Sequence, residues 1–210
     1  MSTNNLEQLK EKLKIIFPDS EIQISYHQLS FSVKKKEILS SVKVLMENDD
    51  FNLDQLIDIT AVDFPNRQKR FEIIYHFLSL KNNLRIRLKS QINEDEQVES
   101  LVNLFVCANW FEREVFDMYG IIFSKHPDLR RILTDYEFQG FPLRKDFPLT
   151  GHVEVRYDED KKKVVYDKVN LTQEYRNFDF MSPWEGANLT IPAQEKLEEG
   201  KDKKEKDKDE

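Results

Sequence analysis

The chain has 210 residues, 39% of them hydrophobic, with a mean hydropathy of −0.65 and a formal charge of −7, enough for one domain and a modest core. No stretch reaches the ~18 consecutive apolar residues that a spanning helix needs, so any membrane association must go through a partner. The acidic balance argues against a nucleic-acid binder and against an electrostatic anchor on anionic lipid, both of which rest on surplus Lys and Arg.

Leu6, Leu9, Leu13 and Ile16 recur at helical spacing between Glu and Lys, predicting an amphipathic helix over 4–17 that Pro18-Asp19 ends. Ile22, Ile24 and Tyr26 alternate with polar residues, as do Leu29, Phe31 and Val33, predicting a hairpin. Residues 37–47 return to helical spacing through Ile38, Val42, Leu45 and Met46. Leu56–Val62 and Phe71–Leu80 are apolar, β-branched runs. The strict alternation of Leu84-Arg85-Ile86-Arg87-Leu88 makes one face of its strand wet and basic. Val98, Leu101, Val102 and Phe105 predict another helix over 95–105. The order α-β-β-α-β-β-β-α predicts a two-layer α+β domain over residues 1–120, with a mainly antiparallel sheet.

Residues 121–194 hold five of the seven prolines and show no sustained period. Their spread of aromatics, from Phe138, Phe141 and Phe147 through Tyr157 and Tyr166 to Trp184, exceeds what a small core absorbs. An irregular extension that clasps a partner is expected. From Glu195 to Glu210 six Lys face eight Asp and Glu with no aromatic, the composition of a disordered tail.

Several chemistries are poorly served. The single cysteine, Cys107, allows no internal disulfide, cysteine zinc site or iron–sulfur cluster, and a lone buried thiol suits a reducing compartment. The four histidines are scattered, which disfavours a metal site. The five glycines lie far apart, whereas a phosphate-cradling loop needs several together. No cofactor is expected. The opening residues, Met1 to Glu7, resemble neither a signal nor a transit peptide, so a protein made where it works, or already processed, is expected.

Charges concentrate at 109–146. Asn109 and Glu112 suggest a capping box at a helix start, with Gly120 as the stop. Phe111, Val115 and Met118 share the expected core face, and Arg113 and Asp117, four apart, are placed to pair. Glu112, Glu114 and Asp117 with His126 invite an acid–base reading. Helical geometry puts Glu112 and Glu114 about 200° apart, however, and Arg113, Arg130, Arg131, Arg144 and Lys145 offer every acid a cation. A charge-assisted network locking helix to loop is the expectation, with His126 packing a loop. Removing Arg130 or Arg144 should then strand a carboxylate.

The run Glu112-Arg113-Glu114-x-x-Asp117-Met118-Tyr119-Gly120-Ile121, followed by His126-Pro127-Asp128-Leu129-Arg130-Arg131-Ile132, resembles one family's signature. The likeness continues through Leu143-Arg144-Lys145-Asp146, Pro148-Leu149 and Glu154-Val155-Arg156-Tyr157. It also takes in Asp58-Ile59, Asp63, Pro65, Arg70-Phe71-Glu72 and Ser182-Pro183-Trp184-Glu185. The family is the 30-kDa subunit of respiratory complex I, known where mitochondrially encoded as NADH dehydrogenase subunit 9. Phe141 departs from it, standing where the family usually has His.

The resemblance implies a cofactor-free structural subunit, not an enzyme with its own active site, in the hydrophilic arm of a proton-pumping NADH:ubiquinone oxidoreductase. It would clasp the 49-kDa (D) subunit, which helps form the quinone pocket, beside iron–sulfur subunits. The implied location is the matrix side of the mitochondrial inner membrane or, alternatively, the cytoplasmic face of a bacterial one. Two other readings stay open: the equivalent subunit of a membrane-bound hydrogenase or plastid-type complex, and a hydrolase using Glu112, Asp117 and His126. RNA binding through Arg85 and Arg87 is disfavoured by the acidic charge.

Overall fold

A computed structural model describes residues 3–173. The chain divides into two compact units, Met1–Val153 and Glu154–Glu210. The expected tail over 195–210, Trp184 and the motif around it lie outside the described residues.

In the first unit, α1 (Thr3–Ile16) is followed by β1 (Ile22–Ser25) and β2 (Gln28–Ser32). A 3-10 turn at Lys35–Glu37 leads into α2 (Ile38–Glu47). Then come β3 (Gln55–Asp63), β4 (Phe71–Ser79) and β5 (Leu84–Ile92). The five strands form one sheet in the order β1-β2-β5-β4-β3. Each neighbouring pair is antiparallel except β2 and β5, which run parallel, with Phe31 opposite Leu88. The crossover through α2 takes the chain to the far edge and brings β5 back beside β2.

Alternation along the strands sends one set of side chains into the core. Leu29, Phe31, Ile59, Phe71, Ile73, Tyr75, Phe77, Ile86 and Leu88 meet Leu6 and Leu13 of α1 and Ile38, Val42 and Leu45 of α2 in one cluster. Full burial of such a side chain stabilises by roughly 1.5–3 kcal/mol. The mixed α+β class and the mainly antiparallel sheet thus agree with the periodicities, as do the first helix, the hairpin and the wet side of β5, where Arg85 is exposed.

The helix expected over 95–105 does not form. Gln97–Glu99 is a strand, β6, paired in parallel with β7 (Ile122–Ser124), so that Val98 faces Phe123. Leu101 to Cys107 then run through tight turns, with the Leu104 and Phe105 N–H groups both donating to the Leu101 carbonyl at 2.9 Å. Turns of three and four residues bury Leu101 and Phe105 as a helix would, so periodicity could not separate the two.

α3 (Ala108–Tyr119) packs along β3, the end strand of the sheet, and adds Ala108 and Val115 to the core cluster. The expected capping box is absent because the preceding turns already satisfy the helix start. The N–H groups of Ala108, Asn109 and Trp110 donate to the carbonyls of Phe105, Val106 and Cys107. Cys107 is exposed, not buried as expected, with its Sγ 3.6 Å from the Leu56 carbonyl oxygen. Gly120 ends α3 at φ 79°, a left-handed cap where glycine carries no Cβ penalty.

From Val153 onward a hairpin forms, β8 (Val153–Asp158) and β9 (Lys163–Lys168). This is regular structure within a stretch whose sequence shows no sustained period.

Candidate functional site: a helix and a loop joined by buried charges

The charged residues of α3 do not gather around a common opening. Glu112, Arg113 and Asp117 are buried while Glu114 is exposed, and each buried group reaches a different piece of backbone.

Asp117 is fully buried and takes five donors from one loop. Oδ2 accepts the N–H groups of Ile132, Leu133 and Thr134 at 3.0, 2.7 and 2.9 Å. Oδ1 accepts the Thr134 hydroxyl at 2.6 Å and Arg131 Nη1 at 2.8 Å. Burial alone pushes the carboxyl upward, but the bonds from Thr134, Ile132 and Leu133 outweigh it and hold it at about 2. The partner foreseen for Asp117 was Arg113. Arg113 instead donates to the carbonyls of Arg130 and Arg131, both at 3.1 Å. Helix and loop are thus joined in both senses, acid to N–H and cation to C=O.

Glu112 turns the other way. Its Oε1 accepts the Leu101 N–H at 2.7 Å, while Oε2 is buried with no hydrogen-bond partner among the described residues. Burial raises its carboxyl to about 7, against the lowering effect of Ser100 and the Leu101 N–H. Tyr75, whose buried hydroxyl also has no partner among the described residues, is pushed upward by burial and by Glu112.

A second cluster was not anticipated as such. Asp63, buried at the end of β3, accepts Arg70 Nε and Nη2 at 2.8 and 2.9 Å and the Lys145 N–H at 2.8 Å. The Arg70 hydrogen bonds hold the Asp63 carboxyl below the usual carboxylate range, against burial. Arg70 also reaches Asp146 at 2.9 Å and Glu94 at 3.2 Å. Arg144 ion-pairs with Glu94 and donates through Nε to the Tyr119 carbonyl at 2.6 Å. Its guanidinium lies 5.1 Å from the Phe71 ring and 4.4 Å from the Phe141 ring. Of these residues Glu94 carried no signal, because it sits in an unremarkable polar turn. Asp63 and Arg70 stood in the recognised motif, but nothing in their spacing showed that they pair.

The remaining predicted residues are placed differently. Arg130 is 66% exposed and meets Asp128, itself 58% exposed. It holds no buried carboxylate; Arg131 has that role, so the expected consequence of removing Arg130 does not follow. Lys145 contributes its backbone, not its ammonium group. His126 packs the loop onto the helix start, its Nε2 3.1 Å from the Asn109 carbonyl oxygen while Nδ1 accepts the Asp128 N–H. Phe141, which stands where the family usually has His, lies half-buried between Arg131 and Arg144 of its own chain. Phe138 and Phe147 likewise stack on each other at 5.8 Å.

The loop so fastened presents apolar side chains outward. Leu133, whose N–H is held by Asp117, is 63% exposed; Tyr136 is fully exposed, and Leu143 and Leu149 are exposed as well. Among the described residues no group of three His, Cys, Asp or Glu is arranged to hold a metal ion. No described helix is long and apolar enough to cross a membrane.

The chain matches the family described as "Respiratory-chain NADH dehydrogenase, 30 Kd subunit" over residues 31–153. It is 52% identical over 199 residues to the C subunit of NADH-quinone oxidoreductase from Dinoroseobacter shibae, covering 94% of this chain and 93% of that one. Identity to the protein of the same name in Ruegeria pomeroyi is 55% over 175 residues, 83% of this chain and 88% of that one. Both relatives are bacterial. A chain in the structure of the membrane-bound sulfane sulfur reductase, an archaeal respiratory membrane complex, superposes with a TM-score of 0.60 at 25% identity, covering 76% of this chain and 98% of that one.

Proposed function

Because the chain belongs to the respiratory-chain NADH dehydrogenase 30 kDa subunit family, we propose that it is a structural subunit of the hydrophilic arm of NADH:ubiquinone oxidoreductase. It holds the quinone-site (49-kDa, D) subunit in place beside the iron–sulfur subunits of that arm, and carries no active site or cofactor of its own. The complex couples this electron transfer to proton translocation, and the chain serves it as an assembly element. One observation carries the reading: the Leu133 backbone is tied to a buried carboxylate while its side chain stands in solvent. A loop fixed internally with apolar groups outward is preorganised for a partner, since little ordering entropy is left to lose on docking. A location peripheral to an inner membrane follows. The bacterial relatives support the cytoplasmic face, and the mitochondrial matrix side is the organellar equivalent.

The likeness to a chain of the archaeal sulfane sulfur reductase complex favours a second reading, the same module in a related membrane-bound machine. Blue-native electrophoresis with identification of co-migrating chains separates the two. The first expects NADH-oxidising and quinone-site subunits in the band; the second expects a sulfur reductase or hydrogenase subunit instead. In the same membranes Leu133→Asp with Tyr136→Ser should lower complex abundance while the assembled fraction keeps its turnover. Normal abundance with collapsed turnover would instead reveal an active site on this chain.

A further inference from the structure

The side of the five-stranded sheet that faces away from the core carries a line of cations on β5. Arg85, Arg87 and Lys89 share that face, spaced about 6.7 Å apart by the strand rise. The register sets Arg85 and Leu78 in one row, Ser30, Arg87, His76 and Asp58 in the next, and Ser32, Lys89, Ile74 and Thr60 in a third. Cations therefore lie beside half-buried aliphatic side chains, with exposed Ile57 bordering them.

Their internal compensation is incomplete. Lys89 reaches Glu72 at 3.6 Å, and Glu72 is shared with Arg67 at 3.4 Å. Half-buried Arg87 meets a neutral acceptor, Gln28 Oε1 at 3.2 Å, and no carboxylate within ion-pair distance among the described residues. Exposed Arg85 has no ion-pair partner among them either. His76, flanked by Arg87, is held toward its neutral form by burial and by that charge, so it adds no cation. On a chain of charge −7, such a stripe is complementary to carboxylates. A nucleic acid is a poor fit, because the rows named above hold no Phe, Tyr or Trp for bases to stack on and few cations for phosphates.

We propose that this sheet face is a second docking surface, occupied by an acidic segment of a neighbouring subunit whose carboxylates meet Arg85 and Arg87 and whose apolar side chains cover Ile74 and Leu78. Carboxylates two apart on an extended segment, or four apart on a helix, match the cation spacing. The proposal rests on this chain being a subunit of a multi-subunit complex, and it adds a contact remote in sequence from the loop at 131–149.

The test uses the full chain in its native complex. An Arg85→Lys variant, treated with a carbodiimide that joins an amine to a carboxylate in salt-bridge contact, should give a peptide linking position 85 or Lys89 to an Asp or Glu of another chain. Arg85→Glu should lower the fraction of the chain retained in the complex about tenfold at raised salt, equivalent to about 1.4 kcal/mol. The unfolding midpoint of the free chain should not move. An assembled complex whose positions 85 and 89 link solely to this chain's own Glu72 or Asp58, or to nothing, overturns the proposal while leaving the subunit reading intact. Absence of the chain from any complex overturns both. Binding of poly(U) RNA by the full chain, lost in Arg85→Glu, would identify the stripe as a nucleic-acid site instead.

Discussion

The loop at 130–147 and the hairpin at 153–168 invert the usual link between regular structure and secure anchoring. The loop has no regular secondary structure, yet its N–H groups end on the buried carboxylates of Asp117 and Asp63. The hairpin has two well-formed strands, but its cross-strand ion pair, Arg156 with Asp167, is 55% and 44% exposed. That pair also puts Arg156 and Asp167 on one face, which leaves Val153, Val155, Tyr157, Val164 and Tyr166 together on the other, all exposed. An isolated two-stranded ribbon is marginal in water, whereas a buried carboxylate with several donors holds irregular backbone firmly.

The largest effect should come from the loop's anchor. Asp117→Ala leaves Arg131 without its carboxylate and three N–H groups without an acceptor, at a cost of about 3–5 kcal/mol. Urea denaturation of the full chain measures it; a loss below about 1 kcal/mol would mean that the loop is held by something else. Because folded Asp117 titrates at about 2, its contribution is complete above the ordinary carboxylate range near 4 and is lost as pH falls through 2.

Glu112 carries the opposite sign. Its folded pKa of about 7 means that the protonated form suits the fold, fully below pH 4, and that stability is lost as pH rises through 7. This amounts to on the order of 3 kcal/mol. Glu112→Gln should abolish that slope and be the more stable form at pH 8. An unchanged slope would show that the buried carboxylate relaxes or hydrates.

Gly120 sharpens the comparison where α3 meets the loop. A Cβ there would lie 2.6 Å from the Phe141 ring and 2.7 Å from Arg144, at φ +79°. Gly120→Ala should destabilise by about 1–3 kcal/mol, read as a lowered Tm. The smallest effects belong to exposed pairs: Arg130→Ala should shift stability by about 0.5 kcal/mol or less, and Arg156→Ala should leave the unfolding midpoint of the free chain essentially unmoved. A large loss at Arg156 in the free chain would make the hairpin as firmly held as the loop.

The candidate site was half legible. Its residue types, its helix and its helix-to-loop character were readable because Glu112 to Asp117 and Arg130 to Arg144 crowd acids and cations into short, adjacent segments. The pairings were not, since Arg113, Arg130 and Arg131 are equivalent in sequence as cations. They differ once the chain reverses: Arg113 and Arg131 point into the contact and Arg130 points away.

By itself the sequence determined the elements whose faces differ in polarity, α1, the first hairpin, α2 and β3 to β5, because alternating burial leaves a periodic imprint. It also determined the family, through the run from Glu112 to Ile132. Tertiary structure alone decided that 97–99 is a strand, since its partner at 122–124 lies beyond α3 and turns can mimic helical spacing. It decided too that Arg131 serves Asp117 and Arg70 serves Asp63. Those pairings depend on distance and burial in three dimensions, and neither is a local property of the chain.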